Sequence, residues 1–195
     1  MSVKTRDRVI ETAARLVQER GYFGTSLNDI LTQSGAPRGS LYFHFPGGKP
    51  QIVAEATRAS IAEAPEALRR MLAEAPTPGQ GVRCFIEATA QMIKQSDFAF
   101  GCPAAPIILD AHGELAELAD LCRAAFDEWA GLMRAAFETA GIAPERAETL
   151  ALMVEAAHEG LLLISRARRS VEPLMIMAAE FEELIDGALP EDEAA

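Results

Sequence analysis

Residues 25–49 read TSLNDILTQSGAPRGSLYFHFPGGK, and the stops and starts inside this stretch decide the fold. Ser26 stands as an N-cap, Asp29 three positions on completes a short-armed capping box, and Leu27, Ile30 and Leu31 follow on one helical face. Ser34-Gly35-Ala36-Pro37 breaks that helix after two turns. Pro37 is able to occupy the first turn of the next helix, residues 38–45, which Pro46-Gly47-Gly48 stops. Upstream, residues 5–20 put Val9, Ile10, Ala13, Leu16 and Val17 on one face and Arg6, Glu11, Arg15 and Glu19 on the other, with Gly21 as the residue that ends the helix. A longer helix bracing two short ones across a glycine-containing turn is a helix-turn-helix.

In the third helix Leu41 and Phe45, four apart, face inward on Ile30, Leu31 and the first helix. Arg38, Ser40, Tyr42, Phe43 and His44 then face out and combine hydrogen-bond donors with aromatic edges on a helix barely two turns long. That composition suits a major groove, where such side chains reach base edges or phosphates, and Gly39 permits close approach.

The residues Thr25-Ser26-Leu27, Ser34-Gly35, Gly39-Ser40-Leu41-Tyr42, His44-Phe45 and Lys49 resemble the DNA-binding domain of TetR-family transcriptional regulators. Gly35-Ala36-Pro37-Arg38-Gly39-Ser40-Leu41-Tyr42 followed by Phe45-Pro46-Gly47-Gly48-Lys49 is similar to the LmrA/YxaF-like subgroup in particular. The resemblance implies that Thr25 and Tyr42 hold phosphates, that Arg38, Gly39 and Ser40 face base edges, that His44 touches the DNA backbone and that Lys49 meets a phosphate. Ser26 and Phe43 complete the expected DNA-binding set. Two departures from the family pattern stand out: Gly47-Gly48 lengthens the usual Pro-Ser-Lys junction by one residue, and Phe43 replaces a residue that is often polar or His.

The whole chain agrees with an all-α fold. Its 195 residues are 49% apolar, 24% charged and only 6% aromatic, with Ala, Glu, Leu and Arg abundant and β-branched runs scarce. Collagen, mucin and a disordered acidic tail are excluded, and no run nears the roughly 18 to 20 apolar residues of a membrane span. With no apolar stretch after the basic N-terminal residues, a cytoplasmic protein with no membrane partner is expected. Cys84, Cys102 and Cys122 are odd in number and far apart, so no disulfide framework is written. A formal net charge of −11 argues against nucleic acid until it is located: residues 1–49 hold seven basic and four acidic residues, and the rest hold 11 and 25. A basic head precedes an acidic body.

Two domains are expected: a helix-turn-helix DNA-binding domain at residues 1–48, and a helical effector-binding and dimerisation domain at residues 49–195. In the body, residues 48–72 form a long helix that Pro65 is expected to kink or end early, and residues 76–81, PTPGQG, read as a linker. Val82, Phe85, Ile86, Thr89 and Ile93 form the next stripe; further helices are expected at residues 106–111, 114–140, 144–169 and 170–189. The chain carries no internal repeat, Rossmann glycine pattern or P-loop. One ridge contains Leu150, Val154, Ala157, Leu161 and Ile164, and a second contains Leu174, Met177, Phe181 and Leu184. Because Leu161-Leu162-Leu163-Ile164 is apolar around most of the helix, a surface buried against a second copy is expected, and the family resemblance implies the same two-fold four-helix pairing.

Phe85, Thr89, Met92, Phe126, Trp129, Met133 and Leu162 are candidates to line an apolar cavity, with His112, Glu155 and His158 as its few polar contacts. The same aromatic and methionine stripe also fits plain core. Glu155, His158 and Glu159 invite a metal or acid–base reading, but no nucleophile–base pair or ligand triad completes it, so neither an enzyme, a metal nor a cofactor is expected. The sequence thus points to a DNA-binding regulator that pairs as a homodimer on double-stranded operator DNA and is released by a small lipophilic effector; a lipophilic cation would suit the acidic body. Alternatives are a thiol-based redox sensor using Cys102, which precedes a helix start, or a small-molecule-binding helical protein without DNA activity.

Overall fold

Regular spacing of apolar residues is realised as helix throughout. The computed structural model describes residues 3–110 and 115–190, without the side chains of Val3, Lys4 and Ser40. The described elements run α1 (Val3–Arg20), α2 (Leu27–Ser34), α3 (Arg38–His44), α4 (Gly48–Glu74), α5 (Pro78–Gln95), α6 (Ala105–Asp110), α7 (Ala116–Thr139), α8 (Pro144–Arg168) and α9 (Glu172–Asp186). No helix among the described residues is long and apolar enough to cross a membrane.

The chain divides into two compact units, one of residues 1–63 with 99–124 and the other of residues 64–98 with 125–195. The start of α4, together with α6, thus groups with the helix-turn-helix. In this first unit Val9, Ala13 and Leu16 of α1 meet Ile30 and Leu31 of α2, Leu41 and Phe45 around α3, and Ile52 and Ala56 of α4. Each of the larger side chains, Val, Leu, Ile or Phe, contributes roughly 1.5–3 kcal/mol by leaving water. Helix α2 begins as the sequence dictates: Ser26 Oγ accepts from the Asp29 backbone N–H at 3.0 Å, and the Ser26 N–H donates to Asp29 Oδ2 at 3.1 Å. The Ser26 hydrogen bonds hold the Asp29 carboxyl below the usual carboxylate range. Gly35 ends α2 in the left-handed region, φ 64°. Pro37 caps α3 rather than entering its first turn, and Phe45 lies just beyond the helix while its N–H still reaches the Leu41 carbonyl at 2.8 Å.

In the second unit α5 packs along α9. The stretch expected as a linker at residues 76–81 is mostly the start of α5. Thr77 is the N-cap, its hydroxyl accepting from the Gln80 N–H at 3.2 Å, and Pro78 supplies the preset first turn. The glycines serve packing instead of flexibility. A Cβ at Gly79 would stand 2.6 Å from the Glu182 carbonyl oxygen and 2.5 Å from Asp186 Oδ1, and one at Gly81 would stand 2.9 Å from Leu72 Cα. Asp186 closes the end of α5, accepting from the Gly79 N–H at 2.9 Å and the Thr77 hydroxyl at 2.6 Å, which sets a negative charge where a helix N-terminus favours one.

Pro65 does not end α4 early. The helix runs to Glu74, because loss of one N–H is tolerated between good helix formers such as Ala64, Glu66, Ala67 and Leu68, and Pro65 is itself buried. The division between the compact units falls at the residue before it. The expected ridges are also re-partitioned. Leu150, Val154, Leu161, Leu174 and Phe181 are buried within their own chain, while Ala157, Met177 and Leu184 are half-buried and Ile164 is exposed. The apolar side chains left outside on α8 and α9 are Leu152, Met153, Leu163, Ile164, Met175 and Ile176.

Gly79→Ala is expected to lower stability by about 1–3 kcal/mol, because a methyl must displace backbone and the capping carboxylate. Gly131→Ala, whose added methyl meets nothing within 4 Å, is expected to raise it by roughly 0.5–1 kcal/mol. Urea unfolding of both variants checks this, and equal effects would contradict the packing role of Gly79.

Candidate nucleic-acid interface and interior polar cluster

Helix α3 turns its Leu41 side into the core and offers the rest outward. Tyr42 is 60% exposed and Phe43 is 84% exposed. Arg38 is exposed, and its guanidinium donates to Asn28 Oδ1 of α2 at 2.8 Å, so it is aimed from the neighbouring helix. Gly39 is open, with nothing within 4 Å of where a Cβ would stand. The Ser40 side chain lies outside the described residues. His44 is half-buried, packs edge-on to Phe43 with ring centroids 5.0 Å apart, and has an enclosed Nε2 with no hydrogen-bond partner among the described residues. The added glycine lets the α3–α4 junction turn through left-handed backbone, for Gly48 takes φ 63° and donates its N–H to the Phe45 carbonyl at 2.9 Å.

Lys49 stands at the start of α4, half-buried, with its ammonium 4.0 Å from the centre of the Tyr22 ring. Burial lowers its pKa, and the Asp110 carboxylate opposes that shift. Asp110, the last residue of α6, also accepts from the backbone N–H groups of Tyr22 at 2.7 Å and Phe23 at 3.3 Å. One carboxylate thereby ties α6 to the turn after α1 and lies near Lys49.

Thr25 corrects the sequence-based expectation. It is fully buried, and its hydroxyl donates to the Gly21 carbonyl at 2.9 Å, so the side chain latches the α1–α2 turn and is not presented to a phosphate. Ser26 is exposed, but its hydroxyl is engaged by Asp29 as a cap.

The second unit encloses a different chemistry. Glu155, His158 and Leu162 follow one face of α8, and the Phe85 ring of α5 lies 5.3 Å from the His158 ring. Phe126 and Trp129 of α7 stack edge-on with centroids 5.3 Å apart. Glu155 Oε1, His158 Nε2, Trp129 Nε1 and Ser165 Oγ are all enclosed with no hydrogen-bond partner among the described residues. Burial, then the carboxylates of Glu159 and Asp127, push the Glu155 carboxyl up to about 7, and burial drives the His158 imidazole down to about 4. Thr89, Met133 and Leu162 are buried, and the Thr89 hydroxyl donates to the Phe85 carbonyl at 3.0 Å. Met92 departs from the expected lining, being 44% exposed at the outer end of α5. His112 lies outside the described residues. Among the described residues no group of three His, Cys, Asp or Glu side chains is placed to hold a metal ion.

Residues 78–180 match the family described as transcriptional regulator LmrA/YxaF-like, C-terminal domain, and residues 9–56 match the bacterial regulatory proteins of the tetR family. The chain belongs to the TetR family. It is 35% identical over 191 residues to an uncharacterized HTH-type transcriptional regulator of Mycobacterium tuberculosis, covering 95% of this chain and 96% of that one. It is 32% identical over 185 residues to the HTH-type transcriptional regulator LmrA of Bacillus subtilis, covering 93% and 96%. A TetR transcriptional regulator from Chloroflexus aurantiacus superposes with a TM-score of 0.82 at 26% identity, covering 95% and 96%. The TetR-family regulator CifR, solved as a cysteine mutant complexed with 26-bp double-strand operator DNA, shares the fold with a TM-score of 0.79 at 24% identity, covering 94% and 96%. This TetR-family chain is therefore a transcriptional regulator and not an enzyme.

Three candidate residues of this TetR-family chain escaped the sequence reading. Ser165 continues the α8 stripe from Glu155 through His158 and Leu162, so its spacing held the signal. Asn28 and Asp110 act across folded distances of 10 and 88 residues, for which local spacing gives no sign. Thr25→Val, which keeps the shape and removes the hydroxyl, is expected to cost about 0.5–1.5 kcal/mol of stability. It should leave the salt dependence of DNA binding unchanged; a smaller salt slope would restore Thr25 as a phosphate contact.

Proposed function

We propose that the chain is a homodimeric repressor that binds double-stranded operator DNA through residues 1–48 and releases it when a small lipophilic effector enters the helical domain at residues 49–195. The observation that carries the DNA reading is the division of α3 between a buried face, Leu41 with Phe45 just beyond it, and a bare one, Arg38, Tyr42 and Phe43. Arg38, steadied by Asn28, suits the O6 and N7 acceptors of guanine, and Phe43 suits a thymine methyl group. Tyr42 and Lys49 serve phosphates, and His44 the adjoining backbone. Ser26 contributes by fixing the start of α2.

Homodimer formation rests on the exposed apolar face of α8 and α9, above all Leu163 at 70% and Leu152 at 61% exposure, together with the family. Two copies of so short a recognition helix, held by two-fold symmetry, read half-sites about 34–36 Å apart or a multiple of it. Effector binding in the enclosed cluster of α5, α7 and α8 shifts the balance between two head spacings through α4. A coupling of about 1–3 kcal/mol changes operator affinity roughly 5- to 150-fold. The Cys102 alternative is not favoured: its buried sulfur accepts from the Ala104 N–H at 3.4 Å. A cytoplasmic location follows from this role.

Binding to the DNA upstream of its own gene, measured at several salt concentrations, tests the reading. Log affinity is expected to fall steeply against log salt, with Lys49→Ala reducing the slope by about one unit. A flat salt response would overturn the proposal.

A further inference from the structure

The polar atoms enclosed in the second unit carry more than the existence of a site. An apolar core leaves few buried polar groups unmatched, because each one forfeits its hydrogen bonds to water. Here Glu155 Oε1 and His158 Nε2, one turn apart on α8, both have no partner among the described residues. The charged groups acting on Glu155 are the carboxylates of Glu159 on α8 and Asp127 on α7, and α5 contributes the uncharged Phe85 and Thr89. An anionic ligand would meet the unpartnered Glu155 carboxyl, on which Glu159 and Asp127 already act.

Resting on the effector-site reading above, we propose that this cluster takes an organic cation with an aromatic body, its ammonium paired with Glu155, a further N–H donated to His158 Nε2, and its ring against Phe85. His158 offers no competing charge at neutral pH, since burial holds its imidazole near 4. With the Glu155 carboxyl near 7 in the free protein, the arriving ammonium replaces a proton: the carboxylic acid ionises, the proton passes to solvent, and the carboxylate–ammonium pair remains. Only the ionised carboxylate binds, and its share grows from about one-tenth at pH 6 to about nine-tenths at pH 8, so affinity rises roughly tenfold across that interval.

Calorimetric titration of the full chain with three probes sharing one ring, 2-naphthylmethylammonium, 2-naphthalenemethanol and 2-naphthoate, tests the proposal. The ammonium probe is expected to bind at least tenfold tighter than the alcohol, with naphthoate weakest, and its affinity to rise about tenfold from pH 6 to pH 8. Glu155→Gln is expected to abolish both the preference for the ammonium over the alcohol and the pH dependence. The wild-type pH profile needs no variant and stands if that substitution fails to fold. Equal or tighter binding of the alcohol or naphthoate, or a pH dependence that survives Glu155→Gln, overturns the charge assignment and leaves the effector site in place. Failure of all three probes to bind folded protein overturns both.

Discussion

Seven residues of helix do not hold themselves together in water, so α3 exists because Leu41 and Phe45 are anchored in the core that α1, α2 and α4 build around them. Everything proposed for the head depends on that anchoring. With Leu41 and Phe45 at zero exposure, the phase of the helix is fixed, and Arg38, Tyr42 and Phe43 have no place but outside. The cap at Ser26 and the left-handed Gly35 and Gly48 set where the short helices begin and end, so the outward side chains keep a constant frame.

The second unit works under the opposite constraint. Helix α8 must satisfy three neighbourhoods around one cylinder: its own core through Leu150, Val154 and Leu161, an enclosed polar cluster through Glu155 and His158, and an apolar exterior through Leu152 and Leu163. A helix that is apolar nearly all round is expected wherever more than one surface is covered. The raised Glu155 carboxyl and the depressed His158 imidazole share burial as their main cause, which in each case disfavours the charged form.

Local chemistry was legible in the sequence, and folded distance was not. The Ser26–Asp29 box, the inward Leu41 and Phe45, and the helix order all follow from spacing, because caps and periodicity act within four residues. Thr25 misled because a threonine after a helix has two choices, outward to a phosphate or back to the Gly21 carbonyl, and only packing decides. Gly79 and Gly81 carry turn-like composition, yet they are small because α9 and Leu72 press against them. The apolar ridges of α8 and α9 were visible, but a period of 3.6 residues does not say which face meets its own chain and which meets another. Least legible is the meeting of Arg169 with Asp97 at 2.6 Å and with the Phe98 ring at 5.4 Å, all three with positive φ and none a glycine. Propensity gives a weak hint of left-handed backbone at Asp97 and none at Phe98 or Arg169.

Methylation interference on the bound upstream DNA probes the major-groove claim at its centre, because a methyl on guanine N7 blocks that groove and spares the other. Interference is expected at guanines in two symmetric half-sites, one helical turn or a multiple apart. Protection without interference at guanine N7, or a single unpaired site, would contradict a two-fold pair of α3 helices reading base edges.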